Sequence, residues 1–359
     1  MKKKRIQIFA FGGNEVAPMG LHDKHGHAVA ATIPMQWQRT NKTSKIIAGI
    51  IKKNPDDLYI ITHGNGPQVG NILLRAEHSL DILPPLPLDV CVADSQGAMG
   101  YMIAQLLASE LAIYNIKKDV ASIITQVVIH KDDPDFRNPS KFIGPSFTQD
   151  EALDRRENKG WYVKMYRKDD TGKEIWRRVV PSPEPVNIIE TDFIISSMEK
   201  AIVVAVGGGG IPVFEVDPDR SGVYHCDYGI KFKHKKKVKL VSGIECVVDK
   251  DLASALLGKL IIEHYKKKKE KVDVFLSIFT SEDGAKLNYQ KKDQKDLRHM
   301  TVKEAEEYHK QGYFPAGSMG PKIKAIINFL KAGGKRAYIS LTDKYQETLE
   351  GKAGTTVSL

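Results

Sequence analysis

Three glycine clusters and three lysines are the residues of this chain best suited to chemistry. The glycines stand at Gly12-Gly13-Asn14, Gly64-Asn65-Gly66 and Gly207-Gly208-Gly209-Gly210, each after an apolar run with the character of a strand. Glycine lets backbone approach an anion closely and turn through positive φ. Parallel α/β sheets bind ligands beyond the carboxyl ends of their strands, where the following helices offer free N–H groups to phosphate or carboxylate. One such cluster is an ordinary tight turn; three point to a shared anionic site. The lysines supply counter-charge. Lys250 lies between Asp249 and Asp251 where a strand-like run meets a helix, Lys322 lies in the first turn of a helix preceded by Gly and Ser, and Lys141 lies in "NPSKFIGP". Lysine at a helix start opposes the helix dipole, so two of them there call for an anionic ligand.

The familiar nucleotide fingerprints are missing. "GNGPQVG" (64–70) has one residue too many for the dinucleotide pattern, and a proline-broken loop, "SLDILPPLPLDV", occupies the place of the strand that would carry a ribose-binding acid. The sequence contains no GxxxxGK[ST] loop and neither of the protein-kinase motifs HRD and DFG. If phosphate is bound, glycine N–H groups and lysines bind it without a Walker loop.

The elements that must position these groups alternate. "RIQIFAFGG" (5–13) and "DLYIITHGNG" (57–66) are strands running into glycine turns, and "TNKTSKIIAGIIKK" (40–53) has helical spacing with Ile46, Ile47, Ile50 and Ile51 on one face. A long helix is expected around 93–114, and one strand over "VASIITQVVIH" (120–130). Residues 131–181, rich in Pro, Asp, Lys and aromatics, have the texture of hairpins in a small inserted subdomain. Alternation resumes at "AIVVAVGGGGIPVF" (201–214), followed by a basic hairpin-like stretch (215–241) and the segment "SGIECVVDKDLASALLG". A strand at 272–280, helices at 301–312 and 318–335, and closing strands "RAYIS" and "TTVSL" complete the chain. The pattern is that of an α/β protein with a mainly parallel sheet covered on both faces.

With 359 residues and a net charge of +10, the chain has room for one large α/β unit or two lobes. The basic runs "MKKKR", "KFKHKKKVK" and "YKKKKEK" flank apolar segments without any nucleic-acid-binding motif, so they are expected to be solvated surface rather than a nucleic-acid interface. No run approaches a membrane span. The apolar start runs into "GGNEV" without a signal-peptide cleavage pattern, and three cysteines, Cys91, Cys226 and Cys246, suit a reducing compartment. A cytoplasmic location is expected. "LHDKHGH" (21–27) and "HCD" (225–227) are weak metal candidates without a second ligand cluster, and "NKT" (41–43) matches a glycosylation acceptor but sits in a helix. His63 borders a glycine turn and either touches the ligand or packs at the strand end.

Taken in order, "GGN", "THGNGPQVGN", "SQGAMGY", "TQVVI", "NPSKFIGP", "VVPSP", "GGGGIPV", "DKDLASALL", "LNYQKKDQ" and "GSMGPK" resemble the carbamate kinases of the amino-acid-kinase superfamily along nearly the whole chain. The resemblance implies a three-layer αβα sandwich and a homodimer. Its N-lobe (1–199) would take carbamate or carbamoyl phosphate and carry the subdomain at about 131–181, and its C-lobe (200–359) would take ATP or ADP. It implies reversible phosphoryl transfer between MgATP and carbamate, commonly run toward ATP at the end of arginine fermentation. By position, Gly12, Gly13 and Asn14 would line the phosphoryl-transfer region, and Gly64, Asn65 and Gly66 would hold the acceptor. Lys250 and Lys322 would stabilise the transferring group, Asp251 would orient them, and Lys141 would reach in from the subdomain. Gly207, Gly208, Gly209, Gly210, Asp249 and Thr280 would border the nucleotide. Mg²⁺ would be held through phosphates and water, with no protein ligand implied. The chemistry suits such residues: carbamate is already an anion and needs no general base, so positioning and charge neutralisation carry the reaction.

The chain departs from the family at Glu15, where a small residue is usual, and at Glu282, where the nucleotide turn usually carries an apolar one. It departs also at the longer, more basic stretch 214–241, either a surface insertion or a binding site for a partner or regulator. Two other readings therefore stand beside the kinase: a related enzyme with another acceptor, and a relative that binds these ligands without turning them over.

Overall fold

A computed structural model describes every residue except 1, 2, 19, 20, 22–28, 30, 170 and 316. Eight strands form its main sheet: β1 (Lys4–Phe11), β2 (Leu58–His63), β3 (Asp119–Ser122), β4 (Ala201–Val204), β5 (Val272–Phe279), β6 (His299–Thr301), β7 (Arg336–Ser340) and β8 (Thr355–Ser358). Their spatial order is β6-β8-β7-β5-β1-β2-β4-β3. Every neighbouring pair is parallel except β7 with β8. All strands from β7 to β3 therefore end on one side, and the glycine turns follow from that edge.

Strand β1 is buried on both faces, and its alternation divides the core. Ile6, Ile8 and Ala10 join one hydrophobic cluster with Leu257 and Ile261 of helix α4 (Lys250–Lys267) and Ile323 and Ile326 of helix α5 (Met319–Lys331). Phe9 and Phe11 face the opposite way, toward Ile47 and Ile51 of helix α1 (Ile33–Lys53) and Ile103 and Leu107 of helix α3 (Leu88–Ile113). A sheet covered on both faces needs strands without a polar side, which is why β1 shows no polar alternation. Local signals place the helices: Thr32 Oγ1 accepts the Met35 N–H at the start of α1, where Pro34 fills the first turn. Gly333, at φ 106°, follows the end of α5 as expected, and Thr301 with Glu304 forms the anticipated capping box.

The single strand expected over 120–130 is two. Ser122 ends β3, and Gln126–Ile129 pairs with Ile211–Phe214 in a separate four-stranded sheet. The break occurs because Ile123 still donates its N–H to Val204 O (2.8 Å), whereas the Thr125 N–H is taken by the Gln96 side chain (2.8 Å) and the chain leaves the main sheet. Within 131–181, strands Lys141–Phe147, Val163–Lys168 and Glu174–Val180 form an antiparallel sheet with a helix at Gln149–Lys159. That sheet rests on helix α2 (Gly66–His78): a Cβ on Gly70 would lie 2.8 Å from the Gly144 Cα. The basic stretch contains a hairpin, Val223–His225 with Lys231–Lys233. Among the described residues, no helix is long and apolar enough to cross a membrane.

Candidate active site

The α4 start carries the charge centre. Asp249 caps the helix, its Oδ1 accepting the N–H groups of Asp251 (2.9 Å) and Leu252 (3.4 Å). Its Oδ2 accepts from Lys141 Nζ at 2.8 Å, so the subdomain touches the helix start. Asp251, only 3% exposed, uses both oxygens: Oδ1 accepts from Lys250 Nζ, and Oδ2 from Lys322 Nζ at 2.8 Å. One carboxylate thus gathers two ammonium groups from α4 and α5.

Three charges in so little water shift one another. Burial works against the Asp251 carboxylate, but the two ammonium groups outweigh it and hold its pKa well below the carboxylate range. Burial also opposes the Asp249 charge and is overcome chiefly by Lys141. Burial draws the Lys250 pKa down; Asp251 offsets this in part, and Lys322 adds repulsion. Burial acts on Lys322 as well, yet Asp251 keeps its pKa above the ordinary lysine value. The centre is a net positive cluster with one ammonium less firmly charged than the other.

The glycine turns meet this centre. A Cβ on Gly64 would lie 3.4 Å from the Gly13 N and 3.5 Å from Lys250 Cδ, so the first two turns and the lysine are neighbours. The Gly64 N–H donates to Phe11 O (3.0 Å). Asn65 points its amide to Ser95 Oγ (2.7 Å), and a Cβ on Gly208 would collide with that amide at 2.0 Å. Gly207 is similarly closed off by His63, and Gly209 by the Val248 carbonyl. The third cluster is therefore buried backing for the second turn and for the residues leading into Asp249. His63 proves to be the packed alternative: burial pushes its pKa down to about 4, the Lys250 charge adding to this, and the ring lies against Gly207.

Beyond Lys322 lies a cavity of about 220 Å³ walled by Thr280, Glu282, Tyr289, Phe314, Met319 and Lys322. Thr280 is thus placed beside the lysine, and the aromatic walls were not singled out in the sequence. Glu282 does face this cavity, its Oε1 accepting from Tyr289 OH at 2.8 Å. Glu15, one of the departures from the family, turns its carboxylate toward Thr342 and Arg39.

Of the metal candidates, residues 22–27 lie outside the described residues, and His225 pairs with Asp219 (2.9 Å). Asn41 of "NKT" lies inside α1, with Thr43 buried and bonded to Glu15 O (2.7 Å). A Mg²⁺ at the centre would find Asp249 and Asp251 already engaged by lysines. The donor set fits an ion held by phosphate oxygens and water rather than by a protein cage.

A mainly parallel αβα sandwich with glycine turns and carboxylate-tethered lysines at its strand ends is that of an amino-acid-kinase-fold phosphotransferase. The chain belongs to the carbamate kinase family: it is 40% identical over 357 residues to the carbamate kinase of Thermococcus kodakarensis, covering 99% of each chain. It is 36% identical over 357 residues to carbamate kinase 2 of Enterococcus faecalis, with 98% of each covered. It also superposes on the carbamate kinase of Giardia lamblia bound to AMP-PNP with a TM-score of 0.77 and 31% identity, covering 100% of this chain and 99% of that one. No protein-family model matches the chain.

Proposed function

We propose that the protein catalyses reversible phosphoryl transfer between MgATP and carbamate, giving MgADP and carbamoyl phosphate, and works mainly toward ATP. The observation that carries this reading is Asp251 holding Lys250 and Lys322 together beside Gly13 and Gly64. In the ATP-forming direction a β-phosphate oxygen of ADP forms a bond to the phosphorus of carbamoyl phosphate, and the bond from phosphorus to the carbamate oxygen breaks. The leaving carbamate departs as an anion, so no residue need donate a proton. Bound Mg²⁺ supplies charge neutralisation on the nucleotide phosphates. The chain's own part is placement and electrostatics. Lys250 and Lys322 hold the transferring group, Asp251 keeps both in register, and the turn at Gly12, Gly13 and Asn14 lines its path.

Gly64, Asn65 and Gly66 hold the carbamate end, and Lys141 reaches it by leaving Asp249. The nucleotide sits along Asp249 and Thr280 toward the Glu282 cavity, with Gly207 to Gly210 buttressing that side through Val248. On this assignment residues 1–199 form the acceptor lobe and 200–359 the nucleotide lobe. The protein works as a homodimer in the cytoplasm, where its three free cysteines stay reduced.

ATP formation from MgADP and carbamoyl phosphate tests the reading directly. The wild type is expected to produce ATP, and Lys250→Ala to lose about 100-fold or more, the cost of removing one preorganised charge donor. A well-folded wild type that makes none would sink it.

A further inference from the structure

We infer that Glu15 is a positioning residue that locks the Gly12–Asn14 turn, along the path of the transferring group, to the nucleotide-side turn at Thr280 through the end of β7; this rests on the kinase reading above. Glu15 is a buried carboxylate, 3% exposed, in the short helical turn Gly13–Val16 that follows β1. A carboxylate is retained at such depth only where donors meet it, and here they come from two distant elements. Thr342, two residues beyond the end of β7, donates its hydroxyl to Oε2. Arg39 of α1 brings Nη2 to 3.7 Å from Oε1 and donates Nε to the Asn14 carbonyl at 2.5 Å. Thr43, one turn further along α1, donates to the Glu15 carbonyl at 2.7 Å.

The other end of this device is Thr280. Its N–H donates to the Ser340 carbonyl at 3.0 Å, so the nucleotide-side turn also hangs from the last residue of β7. Within three residues, Ser340 to Thr342, the chain therefore holds both halves of the site: Thr280 by a backbone bond and the Gly12–Asn14 turn by the Glu15 carboxylate. Phosphoryl transfer needs attacking and leaving oxygens in line, and a misplacement of about 1 Å costs on the order of 100-fold in rate. A bond joining the two turns fixes that separation without touching either ligand. The expected signature is a loss in kcat with each KM nearly unchanged, because the residues that hold carbamoyl phosphate and the nucleotide keep their own contacts.

Glu15→Ala, Glu15→Gln, Thr342→Val and the double variant Glu15→Ala/Thr342→Val test this in the ATP-forming assay. Glu15→Ala and Thr342→Val are each expected to lower kcat by about 10-fold, with KM for MgADP and for carbamoyl phosphate within about 2-fold of wild type. Glu15→Gln keeps an acceptor for the Thr342 hydroxyl and restores most of kcat. The double variant falls no further than the single ones, since both break the same link. If Glu15→Ala destabilises the chain, the Thr342→Val result stands alone. A kcat within 2-fold of wild type in Thr342→Val, or additive losses in the double variant, overturns the role. An active wild type with unaffected variants refutes the positioning role alone, whereas an inactive wild type refutes the kinase reading and this inference with it.

Discussion

At the scale of single residues, two buried groups give separate pH signatures. His63 has its pKa pushed from 6.5 to about 4 by burial, with Lys250 adding to the shift. The folded state holds it neutral while the unfolded chain protonates it. Its contribution is therefore complete above about pH 6.5 and is lost as pH falls from there to about 4, an effect of about 3 kcal/mol at most. Urea unfolding across that window is expected to show the decline in the wild type and a flatter profile in His63→Gln. Asp251 acts lower. Its depressed pKa leaves its contribution intact until the pH drops below the ordinary carboxylate value of about 3.9. Asp251→Asn removes the partner of two nearly buried lysines and is expected to cost about 3 kcal/mol at neutral pH, measured by the same unfolding experiment. The places of Lys250 and Lys322 near helix starts marked them in the sequence as candidates for one charged site, and the structure brings both onto the Asp251 carboxylate. Arg39 and Thr342 were not legible: the Thr342 partner lies 327 residues from Glu15, and nothing local marks the pairing.

At the scale of elements, β1 and β2 were legible from apolar runs ending in glycine turns and α5 from its spacing, whereas α1 was legible only in part: the helix was expected from residue 40 and runs Ile33–Lys53. The division of 120–130 between two sheets was not legible, because it depends on a Gln96 side chain from another helix taking the Thr125 N–H. The docking of the subdomain is of the same kind. Gly70 is the third glycine of "GNGPQVG", and its use is steric: a Cβ there would sit 2.8 Å from Gly144 Cα and 3.0 Å from Gly144 N. Those are backbone atoms and cannot rotate aside, so Gly70→Ala must push strand Lys141–Phe147 off α2. Overpacking of this sort costs about 1–3 kcal/mol, and Lys141 begins the displaced strand. Gly70→Ala is expected to raise KM for carbamoyl phosphate at least as strongly as Lys141→Ala, and to hasten proteolytic cleavage within 141–180. Unchanged KM with normal protease resistance would mean that the subdomain does not need this contact to deliver its lysine.

At the scale of the whole molecule, α3 has an outward face that looks incomplete in an isolated chain. Gly97, Ala98, Tyr101, Ala108, Ala112 and Ile113 are all exposed on it, Tyr101 by 62% and Ile113 by 70%, and no charged residue lies among them between Asp94 and Glu110. Trp37 of α1 stacks edge-on against Tyr101 at 5.5 Å and extends the patch toward the exposed Ile33. The same side carries β3, one of the two edge strands of the main sheet, with α3 pressed against it so closely that a Cβ on Gly100 would collide with Ser122. Apolar, small-residue surface next to an unpaired strand edge is costly to leave in water and is matched best by a second copy of itself across a two-fold axis. The homodimer proposed above is therefore expected to close over the outward face of α3. Tyr101→Glu would place two like charges near that axis, and sedimentation should show the variant as a monomer at concentrations where the wild type is a dimer. A variant that stays dimeric would move the interface to another face; a wild type that sediments as a monomer would remove the dimer altogether.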